Sequence, residues 1–264
     1  MSDQPREVEG VLLISADDQE AAARQVAGLE AVDRFDLRPR PTQRIRDTYL
    51  DTADGDLGAR RVAFRVRDLD GRPLLTLKAD PVRSGLAAER LELEAPWSAE
   101  ALRAVLEELR RRRIELADPP PGGAGAGEPL ADLSGLGLHP TQVRDTTRTP
   151  RDVLERGREA AGPVAELTVD DVGYQLPTGS ARLLEVEVEA KGQGGLETVQ
   201  VLLAALAEGF PEALRPWPYG KLATGRAVEQ LLAAGRLEGL LDPAGRIHPS
   251  AHDHLAEFLA QNGP

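Results

Sequence analysis

Charge in this chain is written with a two-residue period, and mostly one sign at a time. Side chains alternate along a β-strand, so residues i, i+2 and i+4 share a face. Glu7 and Glu9 therefore lie with Val11 on one face, and Arg65 and Arg67 oppose Phe64 and Val66. Thr76 and Lys78 oppose Leu75 and Leu77, while Arg90, Glu92 and Glu94 oppose Leu91 and Leu93. Late in the chain Glu185, Glu187 and Glu189 oppose Leu184, Val186 and Val188. Like charges two residues apart repel, and a sheet shaped only for solubility mixes them with Ser and Thr. Two architectures satisfy the pattern. One is an antiparallel sheet with a wet face and a dry face. The other is a closed barrel with an aliphatic exterior under helices and a charged lumen. Alternation alone leaves both open.

The remaining elements follow from periodicity and caps. Strands are expected near 6–14, 43–51, 61–69, 73–79, 88–95, 140–149, 164–170 and 181–190, with a hairpin turn at Asp70-Gly71. Helices are expected from the cap at Asp18 to about Leu29, from Ser98 to Arg113, from Leu196 to Glu208 and over about 221–234. The arginines closing the second of these suit a helix C-terminus. Several antiparallel strands followed by helices give an α+β class. Residues 118–138 are rich in Pro and Gly and read as a flexible insertion. Their Gly-Ala-Gly run lacks the Lys-Ser/Thr of a phosphate loop. Two units are expected: 1–235, and a tail 236–264 with a short helix at 250–261.

Composition removes several classes of function. The 264 residues contain no cysteine, which excludes disulfides, thiolate metal sites and thiol nucleophiles. A net charge of −12 argues against binding duplex nucleic acid. No apolar run approaches the ~20 residues that cross a bilayer, and the first residues do not form a signal sequence, so a cytoplasmic protein is expected. Of 32 basic residues only Lys78, Lys191 and Lys221 are lysines. A position that keeps lysine in so arginine-rich a chain is a candidate for needing a compact ammonium rather than a fork.

In order along the chain, these segments resemble the CYTH family of triphosphate tunnel metalloenzymes, which includes inorganic and thiamine triphosphatases and class IV adenylate cyclases. Glu7-Val8-Glu9-Gly10-Val11 is similar to the family's Glu-x-Glu-x-Lys strand, and Tyr49-Leu50-Asp51-Thr52 to its Tyr-Phe-Asp-Thr segment. Phe64-Arg65-Val66-Arg67, Leu75-Thr76-Leu77-Lys78 and Arg90-Leu91-Glu92-Leu93-Glu94 resemble its Leu-Arg-x-Arg, Leu-Thr-x-Lys and Arg-x-Glu-x-Glu strands. Arg144 and Arg148 sit where basic lumen residues are placed. Leu167-Thr168-Val169-Asp170, Glu185 to Glu189 and Gly220-Lys221-Leu222 resemble the later elements. Lys78 and Lys221 fall on family lysine positions, whereas Val11 replaces the lysine of the first motif. The tail, from Pro249 to Gln261, resembles the first helix of a CHAD module, a helical domain associated with polyphosphate. A metal cluster of His248, His252 and His254 in that tail is a weaker alternative.

The resemblance implies a closed, eight-stranded antiparallel tunnel with helices outside, and metal-dependent hydrolysis of a small triphosphate within it. Glu7, Glu9, Glu185 and Glu187 are the expected ligands of Mg²⁺ or Mn²⁺, with Glu189 and Asp170 as further members. Arg65, Arg67, Lys78, Arg144, Arg148 and Lys221 are expected to hold phosphoryl oxygens, and Glu7, Glu9 and Lys78 to be catalytic. Tyr49 and Asp51 are expected to be structural, while Arg90 and Glu92 fit either a lumen role or ion pairing. Because of Val11, a binding module for polyphosphate or a nucleotide triphosphate, without efficient turnover, stands as the alternative. A class IV adenylate cyclase is a third reading.

Overall fold

The computed structural model describes residues 5–117, 125, 127–177 and 179–262. Its strands are β1 (Arg6–Ile14), β2 (Ala31–Val32), β3 (Phe35–Pro39), β4 (Gln43–Thr52), β5 (Ala63–Leu69), β6 (Arg72–Ser84), β7 (Ala87–Pro96), β8 (Leu138–Glu155), β9 (Ala165–Leu176), β10 (Gly179–Ala190) and β11 (Leu214–Pro216). The helices are α1 (Gln19–Ala27), α2 (Asp56–Ala59), α3 (Ala99–Arg111), α4 (Pro129–Gly135), α5 (Leu196–Gly209), α6 (Lys221–Ala233) and α7 (His252–Asn262).

Eight strands close on themselves. The order β8–β4–β5–β6–β7–β1–β10–β9 returns to β8, every pairing antiparallel. Closure decides between the two architectures that alternation permits: the charged face points inward. β2 and β3 extend the sheet from β8, and β11 pairs with β1. The predicted hairpin is present, with Asp70 at φ 51° and Gly71 at φ 82°, the left-handed pair that a two-residue turn requires.

The outward faces are covered unequally. Leu12, Val186 and Val188 pack under Val26 of α1 and Leu202, Leu203 and Leu206 of α5. Phe64, Leu75, Leu77 and Leu91 pack under Leu102, Val105, Leu106 and Leu109 of α3. Each such side chain contributes roughly 1.5–3 kcal/mol by leaving water. Ser98 caps α3 by accepting from the Ala101 N–H at 3.1 Å. Its closing arginines do more than face a dipole, since Arg111 and Arg112 each reach Glu108 at 2.8 Å. On the β4–β8 ladder Arg46 and Asp145 pair in solvent at 2.8 Å.

One expectation needs correction. The insertion at 118–138 is not flexible throughout: Pro129–Gly135 is helical, and Leu133 and Leu136 are buried beside Leu109 and Ile114. Positions 118–124 and 126 lie outside the described residues. The tail packs on the barrel. Ile247, Ala251, Leu255 and Leu259 share one buried cluster with Val228 and Leu231 of α6 and with Leu13, Val172, Ala181 and Leu183 of the barrel. Those four barrel residues have the inward parity of the acids, so the lumen has an apolar floor sealed by α6.

Candidate functional site in the barrel lumen

Strand register sets the site. Glu9 on β1 lies opposite Glu189 on β10, and Val11 opposite Glu187. The two acidic strands are thus neighbours, and like charges stand directly across from each other, which is destabilising unless cations intervene. Cations do intervene. The Lys78 ammonium from β6 lies 2.8 and 2.7 Å from the two Glu7 oxygens, 3.1 Å from Glu92 and 3.6 Å from Glu9. Arg90 of β7 donates to Glu7 at 3.0 Å and reaches Glu9 as well. Arg90 and Glu92 therefore face the lumen.

A second group gathers around Asp170, Glu185 and Glu187. Arg148 forks onto Asp170 at 2.9 and 2.7 Å and reaches Glu187 at 3.0 Å. Lys221 contacts Glu185, lies 2.6 Å from Glu187 and 3.3 Å from Asp170. Lys221 is the first residue of α6, where the helix dipole disfavours a cation. The three carboxylates outweigh that penalty and bring the lysine in from the barrel's sealed end.

The third group is cationic. Asp47 on β4 accepts from Arg67 at 2.8 and 3.2 Å and from Arg144 at 2.7 Å. The Tyr49 hydroxyl accepts from Arg144 at 2.7 Å and from Arg65 at 3.1 Å. Tyr49 is thus a lumen residue, not merely a support for its strand. Asp51 is the structural member of that segment: it accepts from the Leu57 and Gly58 N–H groups at 2.8 and 3.0 Å, opening α2.

Burial and pairing split the carboxylates in their affinity for protons. Burial pushes Glu187 up, but Lys221 and Arg148 outweigh it and hold the group well below the usual range. Burial likewise opposes Glu7, and Lys78 with Arg90 prevails to lower it. For Glu9 and Glu185 burial prevails and the carboxyl rises, even though Arg90 or Lys221 is at hand. Glu189 is pushed up to about 7 by burial and by the charge of Glu7. Lys191, the third lysine of the chain, pairs with Glu189.

The four acids expected to ligate metal do not fall in one group. Asp170, Glu185 and Glu187 offer oxygens all within 4.8 Å of one another, and Glu7, Glu92 and Glu189 form a separate group of the same kind. Glu9 belongs to neither group and stays with Arg90 and Lys78. No histidine joins an acidic group among the described residues. His252 is buried against Ser15, and His248 bonds Ser250. Sequence reasoning missed Asp47, because one aspartate in a polar strand carries no periodic signal; its position two residues before Tyr49, on the same face, was the available clue.

Known proteins fit this geometry. The CYTH domain, as a family description, matches residues 11–206. Among solved structures, a candidate adenylyl cyclase from Hippeastrum, described with a dominant triphosphatase activity, is similar with a TM-score of 0.55 and 18% identity, over 84% of this chain and 96% of that one. A candidate adenylate cyclase from Bacillus halodurans is similar with a TM-score of 0.47 and 20% identity, over 82% and 95%. An RNA triphosphatase from S. pombe follows at 0.30 and 13%, over 88% and 84%. At 18% identity the likeness to the Hippeastrum protein concerns the fold alone. No curated protein sequence matches the chain.

Proposed function

The chain belongs to the CYTH domain family, and from that premise we propose that its barrel hydrolyses a small triphosphate, inorganic tripolyphosphate being the simplest, with a divalent cation. One observation carries the reading: acids of β1, β9 and β10 and cations of β5, β6, β8 and α6 meet inside one closed lumen. A polyanion needs its charge neutralised before water can attack phosphorus.

The residues fit a hard divalent ion. All donors in the two acidic groups are carboxylate oxygens, the ligands a hard divalent ion takes, and burial, with neighbouring carboxylates adding to it, raises Glu185 and Glu189. Asp170, Glu185 and Glu187 would hold Mg²⁺ or Mn²⁺, and Glu7, Glu92 and Glu189 are the other candidate group. When bound, such an ion neutralises phosphoryl oxygens and lowers the pKa of water. Arg65, Arg67, Arg144 and Arg148 grip phosphoryl oxygens as forks, and Lys78 and Lys221 as point charges. Glu9 takes the proton of the attacking water at Oε2, its oxygen 3.6 Å from Lys78. Burial raises that carboxyl and makes it the stronger base.

Orthophosphate release from tripolyphosphate with Mg²⁺ or Mn²⁺ tests the reading, with Glu7→Ala expected to abolish it. A protein that binds tripolyphosphate tightly yet releases no phosphate is instead a binding module. Val11 favours that second reading, since it takes a motif lysine's place and packs into the apolar floor. Val11→Lys is expected to raise turnover by restoring an ammonium opposite Glu187; unchanged turnover would count against this placement of the phosphates. With ATP, phosphate rather than cyclic AMP is the expected product.

A further inference from the structure

Three guanidinium groups converge on a single carboxylate deep in the lumen, and the charges there do not balance. Asp47 is 1% exposed and accepts both donors of the Arg67 fork and one from Arg144. Arg65 Nε lies 3.5 Å from it. Among the described residues the other acid paired with these arginines is Glu94, at 3.7 Å from Arg65 and 4.0 Å from Arg67, half-buried and already accepting from Thr76. Tyr49 adds a neutral acceptor to two of the arginines, and after burial is counted Arg144 and Arg65 still lower its pKa. That direction reports a locally positive field.

Donors are left over. Nε and Nη1 of Arg144, and Nε of Arg65, are buried without a hydrogen-bond partner, and Arg144 is 0% exposed. A buried cation with unspent donors is costly unless an anion completes its shell. Asp47 satisfies the cluster only in part.

We propose that Asp47 is a positioning residue that doubles as the resident counter-anion of an anion seat, fixing Arg65, Arg67 and Arg144 and ceding some of their donors to an incoming phosphoryl group. The identity of that anion rests on the triphosphate reading; the charge imbalance does not, and neither a metal nor turnover is needed to detect it. In the free protein Asp47 restrains three mutually repelling cations. It also competes with the ligand, so removing its charge weakens the empty protein while strengthening its grip on anions.

Metal-free tripolyphosphate is the probe, with calorimetry for affinity and thermal melting for stability, on the full chain and on Asp47→Asn and Asp47→Glu. Asp47→Asn is expected to melt several degrees lower alone, to bind tripolyphosphate several-fold tighter, and to gain more melting temperature from it than the unaltered protein. Its turnover with metal should fall at least ten-fold, because Arg67 loses its forked acceptor. Asp47→Glu keeps the charge but moves the oxygens, so affinity should hold within about two-fold while turnover drops. A purely structural Asp47 would lower the melting temperature and leave the anion-induced gain unchanged, which overturns the inference. So would weaker binding by Asp47→Asn, or Asp47→Glu with altered affinity and normal turnover. Should Asp47→Asn not fold, the Asp47→Glu arm decides alone. An unaltered protein that hydrolyses tripolyphosphate while Asp47→Asn binds it less well defeats only the inference; one that neither binds nor hydrolyses it defeats the functional reading too.

Discussion

Lys221 is the residue on which the acidic lumen most depends. It touches three carboxylates, two of them on adjacent turns of the β10 pleat, and those carboxylates hold its own pKa above the lysine range against the effect of burial. Lys221→Met leaves Glu185 facing Glu187 and Asp170 with Arg148 in contact and Lys78 farther off to balance them. Removing one partner of a buried ion pair typically costs about 3–5 kcal/mol. Thermal melting should show a loss of that order without metal, partly restored by millimolar Mg²⁺; a loss that Mg²⁺ leaves untouched would place the divalent ion elsewhere. The special standing of Lys78 and Lys221 was legible in the sequence, because an arginine-rich chain keeps so few lysines. Asp47 was legible only as a residue sharing a face with Tyr49, not in its role. Its meaning comes from Arg67 across one ladder and Arg144 across the other, and neither pairing exists until the barrel closes.

At the scale of elements, period-two charge marked β1, β5, β6, β7 and β10, and strand periodicity without a charge pattern supplied β4, β8 and β9, because a closed barrel keeps one parity inside along each strand. What it missed were segments with no face to alternate. β2 has two residues, and β3 (FDLRP) has one buried pair of apolar side chains. α4 hides in a Pro/Gly-rich stretch because its burial rests on Pro129 and Leu133 alone. β1 is the element with the least freedom, being paired with β7, β10 and β11 and covered by α5. Gly10 sits at its centre. A Cβ there would lie 2.7 Å from the Leu86 carbonyl oxygen and collide with Leu203 of α5. Gly10→Ala should cost about 1–3 kcal/mol, the usual penalty of overpacking. It should also lower turnover, since Glu9 and Val11 flank it and any shift of the strand moves both. Melting and steady-state kinetics check this together; a variant as stable and active as the parent would mean that α5 yields freely.

The whole molecule is organised around one seam, in which the lumen floor, α6 and the tail share apolar contacts. Through it the tail bears on the site, because α6 carries Lys221 and the tail backs α6. The seam also contains a titratable group. His252, at the head of α7, is fully buried with its Nδ1 2.8 Å from the Ser15 hydroxyl, and Nε2 has no partner. Burial lowers its pKa from 6.5 to about 4, with the nearby Arg215 acting in the same direction. The sign follows from proton counting: between pH 4 and 6.5 an undocked tail binds a proton that the docked one does not, so docking weakens as pH falls through that window. Complete acidification through it costs the docked state at most about 3 kcal/mol, at 1.36 kcal/mol per unit. A cost of that size weakens the docking of α7 and raises its opening rate without unfolding a barrel whose ladder is closed. Hydrogen exchange at pH-corrected times should therefore show residues 236–262 losing protection at pH 5 relative to pH 7.5, with β1 and β10 unchanged. Turnover should fall in parallel as α6 loosens around Lys221. His252→Phe should keep the tail docked at pH 5, since an apolar ring fills the pocket without a proton to bind. Equal protection of the tail at both pH values, or its loss together with that of the barrel strands, would remove His252 as the cause.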